Sequence, residues 1–245
     1  MNKRKKTKVY DWPTRIFHWL FAILFLGAYI IAEFVDDESK IFSYHMLAGI
    51  TMIFLLLIRI VWGFIGTTYA RFSSFKLQPR ELVKYLKDSV IAKTKRYLGH
   101  NPASSYAAIL MFICALGLAV TGILMTSGTK MEFYEESHEL FANLFLVTVI
   151  IHVGGILFHH LKHNDSLWSS MLDGSKKSLP GIDGIRNTKA ISGIILLMLT
   201  SLWVGYLTKQ YETDTQNLSL FGIELNLGED HSSERFFEEY ENEDD

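Results

Sequence analysis

The chain has 245 residues, a formal net charge of −2 and 49% apolar content. The near-neutral balance supplies no basic footprint for nucleic acid, and none is expected as a partner. A single cysteine, Cys114, excludes an intrachain disulfide, and the lack of a C-x-x-C-H run excludes covalent c-type haem attachment.

The apolar residues are concentrated in five stretches, at about 16–35, 44–65, 105–126, 134–161 and 190–207. Each is long enough to cross a bilayer, which takes about 20 helical residues, and none shows the alternation of a barrel strand. The expected class is all-α: an integral membrane four-helix bundle, a fifth transmembrane helix and an acidic C-terminal tail. The basic leader MNKRKKTK precedes an apolar run too long for a signal-peptide core, so the first stretch is read as a retained helix.

Between the second and third stretches, RFSSFKLQPRELVKYLKDSVIAKTKRYLGHNP contains an expected amphipathic helix near residues 80–93, with Pro79 close to its start. Its basic character suits the surface of an anionic leaflet. Residues 174–189 form a short basic linker before the fifth helix. Residues 208–245 are acidic, ending EEYENEDD, and their composition predicts a largely disordered tail.

Loop charges predict the orientation. Lys and Arg dominate residues 1–15, 67–103 and 162–189, whereas Asp36, Asp37, Glu38, Glu132, Glu135 and Glu136 mark the opposite side. The positive-inside rule then puts the N-terminus in the cytoplasm and the C-terminus outside the cell or inner membrane.

Nine histidines are present, and four lie within the apolar spans away from their cytoplasmic ends: His18, His45, His138 and His152. Intramembrane ionisable residues are functional candidates by default. Alternating helix directions place His18 and His152 toward the cytoplasmic side and His45 and His138 toward the outside. His138 and His152 are fourteen residues apart on the fourth helix. That spacing is close to four turns, so both share one face about 21 Å apart. Two depth-matched pairs, each from two helices, describe bis-His ligation of two haems. Zinc would more often require three or four ligands at one depth.

Gly49 follows His45 by one turn, leaving room for a flat macrocycle or a close helix. Arg59 shares the His45 face at the cytoplasmic end and, with Arg15, is a candidate partner of haem propionates; snorkelling to headgroups is the alternative for both. His159, His160 and His163 cluster at a helix C-terminus, where cations favour the dipole. His100 and His231 are expected at the surface.

The stretch YDWPTRIFHW, with RIVWGFIGTTYARFSSF, YLGHNP and ESHELFANLFLVTVIIHVGG, resembles the prokaryotic cytochrome b561 family, which includes the membrane cytochrome b subunits of nickel–iron hydrogenases. The resemblance covers about residues 10–173. It implies a di-haem b core over residues 1–173, with His18 and His152 on one haem and His45 and His138 on the other. The fifth helix and the tail fall outside it.

The expected function is a transmembrane electron conduit between the quinone pool and an external redox partner. That partner is a c-type cytochrome steered by the acidic tail or, alternatively, a hydrogenase that the chain anchors. Quinone is a further expected partner, although no residue set marks its site, and a homodimer is also compatible. The reading of another class is a non-redox, His-based metal transporter. Against it, no Asp or Glu shares the mid-membrane region with the four histidines, and no inverted repeat is visible.

Overall fold

The computed structural model of the protein describes residues 6–91, 96–126, 132–163 and 169–228. Among these, five helices are long and apolar enough to cross a membrane: α1 (Trp12–Phe34), α2 (Ser43–Ile65), α4 (Pro102–Thr126), α5 (Glu132–His163) and α7 (Ala190–Gln210). Two shorter helices, α3 (Pro79–Ile91) and α6 (Ser170–Asp173), lie between them. The first four long helices form the expected bundle. α1 packs along α2, α4 packs along α5, and α7 lies outside against α1 and α2.

The start of α1 lies earlier than hydropathy predicts because its entry is polar but buried. Asp11 is the N-cap, and its Oδ1 accepts from the Thr14 backbone N–H at 2.9 Å. Its Oδ2 accepts from Trp62 Nε1 at 3.1 Å and Thr67 Oγ1 at 2.7 Å, tying the start of α1 to the end of α2. Asp11 is fully buried. Pro13 follows in the first turn, where a missing N–H does no harm.

The inner faces of the bundle follow helical spacing. On α1 the stripe is His18, Phe21, Phe25 and Ala28; on α5 it is His138, Phe141, Phe145, Thr148 and His152. Phe25 and Phe145 meet at 4.3 Å between ring centroids, and Phe21 and Phe145 at 6.1 Å. These rings join Met52, Leu55, Leu56, Cys114 and Ala115 in the core at mid-bundle. Gly117 sets the α4–α5 distance, because a Cβ there would stand 2.5 Å from the Phe141 ring.

The linker at 174–189 is pinned to the chain's start. β1 (Lys6–Lys8) pairs antiparallel with β2 (Ser175–Lys177), and the Val9 and Tyr10 amides donate to Gly174 O. Val9, Tyr10 and Leu98 bury together beneath this strap. It closes the basic end of the bundle.

The expectation of disorder after the fifth helix fails for residues 211–228. β3 (Tyr211–Glu212), β4 (Asn217–Leu220) and β5 (Ile223–Asn226) form an antiparallel sheet over the acidic end. Leu218 and Leu227 are fully buried against Leu47 and Leu207. Gln216 Nε2 donates to Ser43 Oγ at 3.1 Å, joining the sheet to the start of α2. Composition misses this because the apolar residues alternate with polar ones and number only a few per strand. Residues 229–245, including His231, lie outside the described residues.

Candidate haem-binding site

At the acidic end, His45 on α2 faces His138 on α5, with ring centroids 6.2 Å apart and planes at 64°. Each ring is oriented by its Nδ1. His45 Nδ1 lies 2.9 Å from Ala28 O, a carbonyl that can only accept, so this nitrogen carries the proton. His138 Nδ1 lies 2.8 Å from Thr121 Oγ1, whose hydroxyl donates onward to Gly117 O at 2.8 Å. The Thr121 oxygen therefore accepts from His138. Among the described residues neither Nε2 makes a hydrogen bond, and in the neutral ring each would carry the lone pair.

With Nδ1–H engaged and Nε2 free of a hydrogen bond among the described residues, both rings are disposed as metal ligands with their outer hydrogen bonds in place. Metal–imidazole bonds are about 2 Å long, and the 6.2 Å between the ring centroids suits two rings that would hold one metal ion between them. Gly49, one turn from His45, has nothing within 4 Å of the position a Cβ would take. Gly122 lies beside His138, with its Cβ position 3.5 Å from Cε1. The site fits a flat group that His45 and His138 would hold between them. Among the described residues no cluster of three or more His, Cys, Asp or Glu is present that would hold a bare metal ion.

At the basic end, His18 on α1 and His152 on α5 are within electrostatic reach of each other. His18 packs edge-on to Trp19 at 5.3 Å, and Trp19 Nε1 donates to Met171 O at 3.2 Å. The four histidines thus stand in two pairs at opposite ends, with Phe21, Phe25 and Phe145 between.

Arg59 is 6% exposed, and its guanidinium lies between the rings of Phe17, Phe72 and Phe112 at 5.4–5.9 Å. Nη2 donates to Ala70 O at 3.0 Å, while the buried Nη1 has no hydrogen-bond partner among the described residues. Asp11 is its nearby countercharge, although the Asp11 oxygens are held by other donors. Arg15 is engaged differently: Nε donates to Met171 O at 3.2 Å and the group lies over Trp12.

His100 departs from its expected surface position. Its ring packs against Phe75 at 4.8 Å and Tyr10 at 6.3 Å, and its buried Nδ1 has no hydrogen-bond partner among the described residues. Burial pushes its pKa down to about 3, helped by Lys176, Arg59 and His152. Sequence reading missed it because YLGHNP looks like an exposed turn, and the β1–β2 strap that covers it is visible only in three dimensions. Asp11 and Thr121 were missed for the same reason; an Asp before Trp-Pro is a legible N-cap signal, but its burial is not.

Residues 9–174 match the family described as Prokaryotic cytochrome b561. The chain belongs to this family. It is therefore a multi-pass membrane b-type cytochrome, for which the family implies haem b. Among curated relatives, the Probable Ni/Fe-hydrogenase B-type cytochrome subunit of Rhizobium leguminosarum bv. viciae is 25% identical, covering 71% of this chain and 90% of its own length. The Probable Ni/Fe-hydrogenase 1 B-type cytochrome subunit of Escherichia coli K12 is also 25% identical, over 68% and 88%. The Rhodobacter capsulatus relative of the same description as the first is 28% identical over 51% and 55%. No solved structure matches the chain.

Proposed function

We propose that this cytochrome holds two haem b groups, one between His18 and His152 and one between His45 and His138, and carries electrons across the membrane. The observation that supports this most is the His45–His138 pair, with both Nδ1 atoms hydrogen-bonded and both Nε2 atoms bare. His45 and His138 would hold the haem by their two Nε2 atoms, and the haem would supply one-electron chemistry there. The chain's own residues orient the ligands through Ala28 O and Thr121, and place Arg59 and Arg15 at the basic end as candidate partners of the inner haem's propionates. Gly49 leaves room beside the outer ligand.

The basic loops favour a cytoplasmic N-terminus in the inner membrane, with the β3–β5 sheet outside. His18 and His152 would then hold the haem nearer the quinone pool, where it would supply electron exchange with quinone. For the external partner the relatives' descriptions favour a hydrogenase over a c-type cytochrome. The test is purification from native membranes. Two b-type haems together with a nickel–iron protein support this reading, whereas a colourless chain overturns it. Two haems with a bound c-type cytochrome in place of the nickel–iron protein select the other partner.

A further inference from the structure

We propose that the β4–β5 turn, with Phe221 at its tip and Ile223 beside it, is an anchor inserted into lipid at the level of the headgroup–acyl boundary. Phe221 and Gly222 both have positive φ, 52° and 86°, the geometry of a tight two-residue hairpin turn. Phenylalanine is an unusual occupant of that left-handed conformation, where Asn or Asp is the ordinary choice. Its backbone is held by Tyr206, whose hydroxyl oxygen accepts from the Phe221 N–H at 3.0 Å. Its ring stacks on Tyr206 at 5.4 Å and approaches Trp203 at 6.1 Å. Trp203 in turn stacks on Phe54 of α2 at 4.9 Å.

These contacts fix the depth of the tip. Tyr206 and Trp203 lie four and seven residues before the end of α7 at Gln210, about 6 and 10 Å inside the helix end at 1.5 Å per residue. The hairpin therefore folds back alongside α7 to the level where Trp and Tyr belts meet headgroups. At that level Phe221 is 76% exposed and Ile223 64%, next to a helix whose Leu202 and Met198 are 69% and 60% exposed. The acids Glu212 and Asp214 sit at the other end of the sheet, and Glu224 alternates to the face opposite Ile223. An exposed apolar tip at membrane depth, with its nearest acid turned away, fits lipid better than water or a polar protein surface.

The test is site-directed spin labelling of the full haem-loaded chain in vesicles of phosphatidylethanolamine and phosphatidylglycerol. Cys114, buried in the core, is replaced by alanine. Labels are placed singly through Phe221→Cys and Ile223→Cys, with Met198→Cys as the lipid reference and Asp214→Cys as the water reference. The expected ratio of oxygen to nickel-chelate collisions at 221 and 223 is severalfold above that at 214 and below that at 198. A ratio equal to that at 214 overturns the proposal in favour of a water-facing tip. Protection from both reagents overturns it in favour of a protein covering the tip, whether a partner or a second copy. Because Ile223 takes no part in the aromatic stack, its label reports the tip even if Phe221→Cys loosens the turn.

Discussion

His138 Nδ1 and Thr121 Oγ1 are 2.8 Å apart, and the Thr121 hydroxyl donates its own hydrogen bond to Gly117 O at 2.8 Å. This relay leaves His138 one available tautomer, with Nε2 bare. Replacing Thr121 with valine keeps the shape and removes the acceptor. Loss of such an outer hydrogen bond typically weakens metal binding by about 10–100-fold. It also makes the ligand less basic, which favours ferrous iron. The Thr121→Val variant should bind the outer haem more weakly and raise its midpoint potential, with the inner haem unchanged and Thr121→Ser restoring the parent values in a redox titration.

His45 and His138 meet at one end of the bundle and His18 and His152 lie toward the other, with Phe21, Phe25 and Phe145 between them. His138→Ala should therefore remove the outer haem and leave the inner one spectrally recognisable. His152→Ala should do the reverse. Low-temperature difference spectra of the two variants check this, because each should lack a different α-band component.

His100 is half-buried with its Nδ1 shielded from solvent, and desolvation lowers its pKa from 6.5 to about 3. In the unfolded chain it takes up a proton below about 6.5, whereas in the folded chain it does not until about 3. Stability from this residue is thus fully present above 6.5 and is lost progressively as pH falls toward 3. His100→Phe should flatten the acid side of the stability profile over that interval, measured as loss of haem absorbance on acidification.

Gly117 admits the Phe141 ring to within 2.5 Å of where a Cβ would stand. Gly117→Ala should force the α4–α5 pair apart locally, at about 1–3 kcal/mol for overpacking. Because the carbonyl of Gly117 also receives the Thr121 hydroxyl, thermal bleaching of the outer haem should come earlier than that of the inner.

Leu218 and Leu227 are fully buried beneath the sheet, packed on Leu47 two residues from His45. Leu218→Ala should cost about 2–5 kcal/mol and expose residues 211–226 to protease. The Lys40–Asp214 pair is exposed on both sides, and Asp214→Asn should change little.

The long helices were legible because lipid demands unbroken apolar stretches, and the fourteen-residue spacing on α5 carried the depth pairing. Relations between polar groups brought together by tertiary contact were less legible. Asp11 reads as an N-cap, but only the fold shows it gripping Trp62 and Thr67. His100 reads as a turn residue until the β1–β2 strap covers it. The sheet after α7 was hidden by an acidic composition that belongs mostly to residues beyond it.

The central claim is that one chain holds two haems on separate His pairs. Haem per chain, together with the ferric EPR spectrum of the parent, His138→Ala and His152→Ala proteins, tests it most directly. The account predicts two haems in the parent, with two low-spin signals of which each variant loses a different one. A single haem per parent chain, or a high-spin ferric signal from the parent, would contradict it.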